Sequence, residues 1–419
     1  MSEHAGGPPG ARAGLREAHC HLAQLGRAQA MLDLSACRSP GDLLDAVAER
    51  ARTLPDGAPV LAHSARPEAW ASPVWPPLAE LDRACAGRAC LAWCFDYHAL
   101  MASSAMLAAA GIGRDAPDPP GGVILRDASG SPTGVLLERA ALDCWSAVPE
   151  PAAEERREHV RAACAHLAGL GFAEAHDLKA QPWLPEVLAD LDRAGELPLR
   201  AVLFPLVQDL PEMAARRGSF EGERIRLGGA KLFADGTLNS RTAWMLEPYA
   251  DGRPEHPRGT PMATAEEIRE AVRRTDALGL PLAAHAIGDA AVRAVLDAIE
   301  EVRPRTPGYR IEHAELVDAA DVPRFARLGV VCSPQPCHLL ADVEALRRGV
   351  PDRLRRVLPL RELIDAGLEP GRGLVFGSDA PIVRADPRDS VRAAADRRRP
   401  NAPAEEAIAA EQAIAEAEA

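Results

Sequence analysis

Lysine is almost absent from this chain of 419 residues, and aromatic residues make up only 4% of it. All but two of its 48 basic residues are arginine, the exceptions being Lys179 and Lys231. Arginine replaces lysine readily on a solvated surface, but its guanidinium stays protonated where a buried amine can lose its proton. Lys231 lies in the Gly-led run GGAKLFADGTLNSRTAW, so we expect a role there that requires a primary amine. Lys179 has no comparable context and is predicted to lie on the surface.

The chain also lacks paired cysteines, an apolar run of membrane length and an excess of basic residues. Its nine cysteines are scattered, which is typical of buried thiols in a reducing compartment. The cluster at Cys85, Cys90 and Cys94 does not have the spacing of a zinc site.

No apolar stretch reaches the ~18 residues of a membrane span, and the N-terminus lacks the apolar region of a signal peptide. We therefore expect a cytoplasmic protein with no membrane contact. The formal net charge of −13 argues against a nucleic-acid partner.

What the sequence does have is a rhythm of short apolar runs that alternate with amphipathic helical stretches through its later part. Strands that alternate with helices predict βαβ units and a parallel sheet. With an earlier run at 14–22, eight such units predict an α/β fold, the TIM (β/α)8 barrel. The seven later runs are 171–178, 199–206, 224–233, 280–289, 309–316, 329–336 and 373–381.

The predicted barrel comprises residues 13–54 and 149–400, because residues 55–148 interrupt the rhythm. We expect this interruption to form an inserted α+β subdomain above the barrel mouth, with a short β-hairpin within it. The Gly-, Pro- and Ala-rich residues 1–12 are predicted to be disordered. The Ala/Glu-rich residues 401–419 are predicted to form a C-terminal helical segment.

Polar residues that can bind a metal stand at the ends of five predicted strands. TIM-barrel active sites lie at the carboxyl ends of the strands, and residues i and i+2 of one strand point to the same side. A single histidine at such a position more often has a structural role, and an aspartate after Gly-Ser often caps a helix. The joint pattern instead predicts a metal site built from His19, His21, Lys231, His285, His313 and Asp379.

Two of these residues indicate specific chemistry. A protonated Lys231, with an ordinary pKa of about 10.4, would repel a divalent cation, whereas its neutral amine can react with carbon dioxide to form a carbamate. Such a carbamate is an anionic ligand able to bridge two metal ions. A salt bridge from Lys231 to Asp235 is the structural alternative, and Asp235 could equally hydrogen-bond a bound ligand. Asp379 suits a general base that takes a proton from metal-activated water and then passes it to a leaving amine.

The motifs around these residues resemble the amidohydrolase superfamily, and within it amidohydrolase family 3, the branch of the N-substituted formamide deformylases. The matching motifs are AHCH, GGAKLFADGTLNSRTA, AAHAIGDAAV, RIEHAEL, SPQPCHL and FGSDAPI, and the resemblance covers about residues 14–419. It implies a metal-dependent hydrolase acting on a small molecule with an amide or other non-peptide C–N bond, in the class of N-acyl or N-formyl amines. It also implies one or two divalent metals, usually zinc (Zn2+), with Lys231 carbamylated and with ligands at His19, His21, His285, His313 and Asp379.

The resemblance extends to further residues of the pocket. It implies that Arg241, beside Ser240, anchors a substrate carbonyl or carboxylate, and that His338 acts in catalysis by polarising the scissile carbonyl. It places His98 in a lid formed by the insert, and His176 in the pocket. For each of them an ordinary structural role stays open, such as a helix-capping arginine or a hydrogen-bonded loop histidine.

Family members carry a β-sandwich made of strand-rich segments before and after the barrel, and we expect neither segment in this chain. Apolar surface is then expected at the bottom and flank of the barrel, which a homodimer would cover. Two other functions stay open. One is a related metal hydrolase or deaminase acting on an ester, lactone or ring amidine, and the other is a catalytically inactive barrel with a binding or scaffold role. The intact set of six metal-site residues argues against the inactive barrel.

Overall fold

The computed structural model describes residues 14–419, so the segment 1–12, predicted to be disordered, lies outside the described residues. The described residues contain fourteen β-strands in three sheets. In chain order the strands are β1 (Leu15–Cys20), β2 (Leu32–Asp33), β3 (Val60–Ala65), β4 (Cys90–Cys94), β5 (Ala99–Ala102), β6 (Gly122–Arg126), β7 (Pro132–Glu138), β8 (Phe172–Asp177), β9 (Arg200–Leu203), β10 (Ile225–Leu227), β11 (Ala230–Phe233), β12 (Leu282–Ala286), β13 (Arg310–His313) and β14 (Val331–Ser333).

Fourteen α-helices connect and flank these strands among the described residues. Some begin at a capping side chain: Ser39 Oγ accepts the Asp42 N–H at 3.1 Å, and Thr264 forms a reciprocal capping box with Glu267. Within residues 14–419, no helix is both long enough and apolar enough to span a membrane. In chain order the helices are α1 (Leu22–Ala30), α2 (Pro40–Thr53), α3 (Leu78–Ala84), α4 (Ser104–Ala109), α5 (Arg139–Ser146), α6 (Ala153–Gly169), α7 (Leu184–Arg193), α8 (Leu210–Ala215), α9 (Ala265–Ala277), α10 (Asp289–Val302), α11 (Val322–Leu328), α12 (Leu339–Gly349), α13 (Leu360–Asp365) and α14 (Pro387–Asp396).

Two of the three sheets are parallel throughout, and their strands alternate with helices along the chain. The first has the strand order β1-β8-β9-β10, and the second has the order β11-β12-β13-β14. Every residue of β12 and of β13 is buried, as expected for parallel strands that are covered on both faces. The predicted α/β class with parallel strands is therefore confirmed.

The predicted strand 224–233 is divided in the structure. Its first part, β10, pairs with β9, and its second part, β11, pairs with β12, so the chain passes from one parallel sheet to the other. The passage occurs at a glycine pair, where a Cβ atom on Gly228 would lie only 2.4 Å from Val202 Cγ1. A single parallel bridge between Leu206 and Lys231 links the two sheets at this point.

The predicted eighth strand, 373–381, is not a regular strand. Single parallel bridges connect it to β14 at Leu374 and to β1 at Ala380. Asp379 interrupts the extended backbone, because its φ of +62° lies in the left-handed region. The segment is thus bridged to one strand of each parallel sheet, and it carries Asp379 to the end of β1.

The third sheet is mixed and holds the strands of the predicted insert. Its order is β2-β3-β4-β5-β7-β6, with parallel pairs up to β4 and antiparallel pairs beyond. β6 and β7 form the predicted hairpin. The sheet begins with β2, and α2 packs on it through Leu43 and Val47. Both elements lie within residues 13–54, which the sequence assigned to the barrel, so the division into domains stays a prediction.

Residues 401–419 differ from the helical segment that their composition predicts. They contain two 3₁₀ turns, Ala404–Glu406 and Ala410–Gln412, and no α-helix. Ile408 and Ile414 are both buried in the main hydrophobic core. The packing of these side chains therefore overrides the helix propensity of the Ala/Glu-rich composition.

Large apolar side chains are exposed on four separate segments of the described residues. Four scattered residues are fewer than the exposed apolar surface that the sequence led us to expect at the bottom and flank of the barrel. The homodimer stays a prediction. The four residues are Leu15, Val74, Leu142 and Leu278.

The close packing of α1 on α6 gives a test of the fold next to the His19–His21 strand end. A Cβ atom on Gly26 would lie 1.9 Å from the carbonyl oxygen of His159. Gly26→Ala gains about 1 kcal/mol of helix propensity, whereas overpacking against backbone costs up to about 3 kcal/mol. We therefore expect the free energy of unfolding, measured in urea, to fall by about 2 kcal/mol. Gly113→Ala is the matched control, because its Cβ would meet no heavy atom within 4 Å, and it should change stability by less than about 0.5 kcal/mol. Equal or higher stability of Gly26→Ala would contradict this packing.

Candidate metal centre

The structure brings together the six residues that the sequence assigned to a metal site. Each of them is at most 8% exposed. They lie in or directly after β1, β11, β12 and β13, and in the bridging segment 373–381. From the N-terminus onward they are His19, His21, Lys231, His285, His313 and Asp379.

Side chains from different strands meet at one point of this centre. Asp379 Oδ1 lies 2.8 Å from His21 Nε2 and 3.3 Å from His19 Nε2. The ring centroid of His313 is 4.9 Å from that of His19 and 4.4 Å from that of His285. One ligand atom each from His19, His313 and Asp379 lie within 4.8 Å of one another, so a single ion can contact all three.

His19 is oriented by a carboxylate that the motif analysis missed. Its Nδ1 lies 2.7 Å from Glu312 Oε2, and Arg310 Nη2 donates to the same oxygen at 3.1 Å. Burial raises the pKa of Glu312, but Arg310 and His19 outweigh burial and bring that pKa well below its ordinary value. An ionised carboxylate only accepts hydrogen bonds, so the Nδ1–H of His19 donates to it, and Nε2 faces Asp379. Metal-binding histidines are commonly oriented by a carboxylate in this way.

Three buried polar atoms at the centre have no hydrogen-bond partner among residues 14–419: His21 Nδ1, His313 Nδ1 and Asp379 Oδ1. Asp379 Oδ1 faces His21 Nε2 closely, but without hydrogen-bond geometry. Buried polar atoms are nearly always paired, so such a group calls for an explanation. Imidazole nitrogens and a carboxylate oxygen are donors that suit zinc and similar divalent metals. The residues present therefore fit a metal ion.

Backbone strain at the centre and the pKa shifts of His21, His313 and Asp379 agree with that fit. The φ angles of His313 and Asp379 are +71° and +62°, a strained conformation that clusters at functional sites. Burial lowers the pKa of His21 to about 4 and the pKa of His313 well below its ordinary value. Burial raises the pKa of Asp379, but His19 and His21 outweigh burial and bring it well below its ordinary value. Neutral imidazoles and an ionised carboxylate are the forms that bind metals.

Lys231 is enclosed beside His19. Its Nζ lies 3.5 Å from His19 Nε2 and 5.0 Å from the ring centroid of Phe233. Burial lowers the pKa of Lys231 to about 8. Within the described part of the chain Lys231 forms no salt bridge with Asp235, which was the alternative left open by the sequence. The Asp235 carboxylate instead accepts backbone N–H groups at 2.8 to 3.0 Å, from Trp244, Ile287 and Gly288.

The centre lies at the base of a cavity of about 210 Å³. His98, predicted to lie in a lid, lines this cavity, with its Nδ1 2.6 Å from Glu138 Oε2 and its ring stacked on His285 at 5.7 Å between centroids. Burial lowers the pKa of His98, but Glu138 outweighs burial and raises that pKa to about 9. His98 therefore brings a positive charge to the cavity wall. Six of the chain's few aromatic residues also line it: Trp93, Phe95, Tyr97, Trp145, Trp183 and Phe233.

Comparison with known protein families agrees with this geometry. The sequence model described as "Amidohydrolase family" matches residues 12–416. The chain belongs to the amidohydrolase family. Its predicted resemblance to amidohydrolase family 3 and to the formamide deformylase branch is thereby confirmed.

Individual relatives of this amidohydrolase also support the family assignment. It is 31% identical over 381 residues to YtcJ of Bacillus subtilis (strain 168), which is named as a candidate amidohydrolase, over 89% of this chain and 71% of YtcJ. It is 28% identical over 309 residues to the N-substituted formamide deformylase of Arthrobacter pascens, over 70% of this chain and 56% of that enzyme. The crystal structure of an uncharacterized metal-dependent hydrolase from Pyrococcus horikoshii OT3 is 26% identical and has a TM-score of 0.75, over 96% of this chain and 77% of that one. The fold is therefore that of a metal-dependent hydrolase of the TIM-barrel type.

Four residues predicted to bind substrate in this amidohydrolase do not reach the cavity. Arg241 Nε and Nη2 donate to the two carboxylate oxygens of Asp251 at 2.7 and 2.6 Å. His176 lies between Glu174, at 3.1 Å, and Arg310, at 3.0 Å. Asp251 thus holds Arg241, and Glu174 and Arg310 hold His176, contacts that the motifs could not reveal. Within residues 14–419, the predicted substrate-binding residues that do not line the cavity are Asp235, His176, Ser240 and Arg241.

A second group of potential ligands, which the sequence analysis did not assign, lies beside the centre. Atoms of Glu315, His338 and Asp342 lie within 4.8 Å of one another. The spacing of His338 and Asp342, four residues apart at the start of α12, was a usable signal, since such residues share a helix face. His338 Nε2 donates to the carbonyl oxygen of Ser378 at 3.2 Å, which leaves the Nδ1 of a neutral His338 as an acceptor. The predicted role of His338 in polarising a scissile carbonyl stays a prediction.

The lowered pKa of Lys231 gives the metal-free amidohydrolase a defined pH dependence of stability. The pKa of Lys231 is near 8 in the folded state and has an ordinary value of 10.5. Between these two pH values the amine therefore binds fewer protons in the folded state than in the unfolded state. Stability therefore rises with pH through the same interval. Between pH 7 and pH 9, the free energy of unfolding of wild type should rise by about 1 kcal/mol relative to Lys231→Met. Urea unfolding in the presence of a chelator measures this difference. A difference that stays constant from pH 7 to pH 9 would show that the lysine has an ordinary pKa.

Proposed function

We propose that this amidohydrolase hydrolyses an amide or other non-peptide C–N bond in a small molecule of the N-acyl or N-formyl amine class. The observation that carries the proposal is the Asp379 carboxylate, which presents an unpartnered oxygen among histidines at the base of a cavity. A carboxylate in that position can exchange protons with water and with a leaving amine. The name of the Arthrobacter pascens relative supports the formyl amine class.

We propose zinc as the metal, bound as one or two ions. When present, the ion supplies Lewis acidity and makes water a nucleophile near neutral pH. Lys231 is the residue that becomes carbamylated: its neutral amine, favoured by the lowered pKa, forms a bond to the carbon of carbon dioxide and releases one proton. The product is a carbamate, so an anionic oxygen ligand replaces the ammonium cation of the lysine. The other ligands are His19, His21, His285, His313 and Asp379.

Asp379 acts first as the general base and then as the general acid. Its pKa lies well below the ordinary value, so the carboxylate is ionised and ready to accept the proton that water loses. As the C–N bond breaks, Asp379 delivers this proton to the leaving nitrogen. The backbone N–H of Asp379 donates to the carbonyl oxygen of His19 at 2.6 Å, which holds the carboxylate against the end of β1.

His98 and His338 bind the substrate in this mechanism. His98, protonated beside Glu138, donates from Nε2 to the substrate carbonyl oxygen, where negative charge develops in the transition state. His338 Nδ1 accepts a hydrogen bond from the substrate N–H, because its Nε2 is occupied by Ser378. The two histidines thus recognise the two ends of one amide group.

We also propose that the two parallel sheets and the segment 373–381 close into one barrel. The bridge between Leu206 and Lys231 supports closure on one side. The bridges of the segment 373–381 to β14 and to β1 support it on the other. Closure explains how His19 and Lys231, which belong to different sheets, come within 3.5 Å of each other.

Replacement of Asp379 tests the proposed function. Asp379→Asn keeps the shape of the side chain but cannot accept the proton, so we expect kcat to fall at least about 100-fold. The measurement is amine release by zinc-loaded protein from N-formyl and N-acetyl amines, among them N-formyl-2-phenylethylamine. Asp365→Asn is the matched control, because the Asp365 side chain is 67% exposed, and it should keep the wild-type rate.

Zinc content, measured by elemental analysis on the same samples, distinguishes failure to bind metal from failure of the chemistry. Wild-type protein that binds zinc but releases no amine from any of these compounds would refute the function. Full activity of Asp379→Asn would refute the role of the carboxylate.

A further inference from the structure

Lys179 lines the cavity, contrary to the surface position expected from the sequence. It follows β8, and its Nζ lies 5.9 Å from the ring centroid of Phe233. Lys231 Nζ lies 5.0 Å from the centroid of the same ring. The two lysines of a chain with 48 basic residues therefore contact one phenylalanine inside one cavity. Lys179 Nζ is thus within the distance at which a cation interacts with an aromatic face.

The ammonium of Lys179 has no direct partner within the part of the chain that the structure describes. No carboxylate lies within 4.0 Å of it, and the residue's hydrogen bond to Asp177 is made by its backbone N–H. Two arginines of the same cavity are held differently: Arg27 donates to the Pro149 carbonyl oxygen at 3.2 Å, and Arg156 donates to that of Pro151 at 2.8 Å. Lys179 is thus a cation that points into the cavity with its donors available.

The carboxylates near Lys179 are already bound to other groups. Asp177 accepts the backbone N–H of Lys179 at 3.1 Å and that of Leu22 at 2.8 Å. Glu138, across the cavity, is bound to His98. A partly buried ammonium without a counter-ion costs free energy, and an anion that enters the cavity removes this cost.

We propose that Lys179 forms an anion-binding subsite and binds a carboxylate carried by the substrate. The proposal rests on the proposed function and narrows it: the substrate is an N-acyl or N-formyl amine that also bears an acid group. Its C–N bond lies at the centre near Lys231, its carboxylate lies at Lys179, and Phe233 packs against the atoms between them. A lysine suits this position because its ammonium is a compact charge with three donors on a flexible stem.

Two substrates that differ only in the carboxylate test the subsite. N-formylphenylalanine and N-formyl-2-phenylethylamine share the formamide and the phenyl group, and the second lacks the acid. We expect the zinc-loaded wild type to prefer the acid, and Lys179→Met to lower the kcat/KM ratio of acid to neutral substrate by about 10- to 100-fold. The loss should appear in KM, because the subsite binds the substrate away from the reacting bond. Lys179→Arg should restore part of the preference, since it restores the charge.

Arg156→Met is the matched control for loss of a positive charge in the same cavity. Its guanidinium is held by the Pro151 carbonyl oxygen and lies over the Trp183 ring, so the substrate ratio should change less than about threefold, an effect below that of a charged hydrogen bond. An equal loss in Arg156→Met and Lys179→Met would show a general charge effect and would overturn the subsite. A wild type that shows no preference between the two substrates would overturn it as well.

A binding measurement keeps this test separate from turnover. Calorimetry on the zinc-loaded protein compares 3-phenylpropanoate with 3-phenylpropan-1-ol, and the metal is present in wild type and in Lys179→Met alike. We expect the Kd of the carboxylate to rise about 10-fold or more in Lys179→Met, with that of the alcohol unchanged. Equal Kd values for the carboxylate in both proteins would overturn the subsite. Lys179-dependent binding without any amide hydrolysis would support the subsite and refute the proposed function.

Discussion

The contact between His19 and Glu312, with 2.7 Å between Nδ1 and Oε2, is the constraint on which the rest of the centre depends. Glu312 is fully buried, and a buried carboxylate is tolerated when it is paired and hydrogen-bonded, here by Arg310 and His19. The carboxylate accepts the Nδ1–H of His19 and thereby aims its Nε2 at Asp379. Because His19 belongs to β1 and Glu312 to β13, the same contact joins the two parallel sheets. The arrangement of the candidate metal ligands and the association of the sheets thus share one interaction.

The parallel strands, and the convergence of the six candidate metal-site residues, could be predicted because both depend on local properties of the sequence. Each candidate ligand stands beside the apolar run that forms its strand, so its position near a strand end can be recognised without knowledge of tertiary contacts. His19 and His21, two residues apart, both face Asp379 Oδ1, as their spacing predicts. The division of the strand 224–233 could not be predicted, because it depends on the different strands with which its two halves pair.

The residues that could not be assigned from the sequence are those whose role depends on contacts through space. Arg241 lies in a recognisable motif, but the partner that occupies it is Asp251. Glu312 directly precedes His313, and the charged pair that it forms with Arg310 within a buried strand was the one available signal. Lys179 was assigned to the surface because no motif surrounds it, and only the fold shows that it faces the same ring as Lys231.

The position of a bound metal is the most direct test of this account. Crystals of the zinc-loaded protein, measured on both sides of the zinc absorption edge, give an anomalous difference map that locates the ion without reference to activity. We expect a peak about 2.0 to 2.2 Å from His19 Nε2 and from a carboxylate oxygen of Asp379. A peak at the neighbouring group of Glu315, His338 and Asp342, with none beside His19, would contradict it.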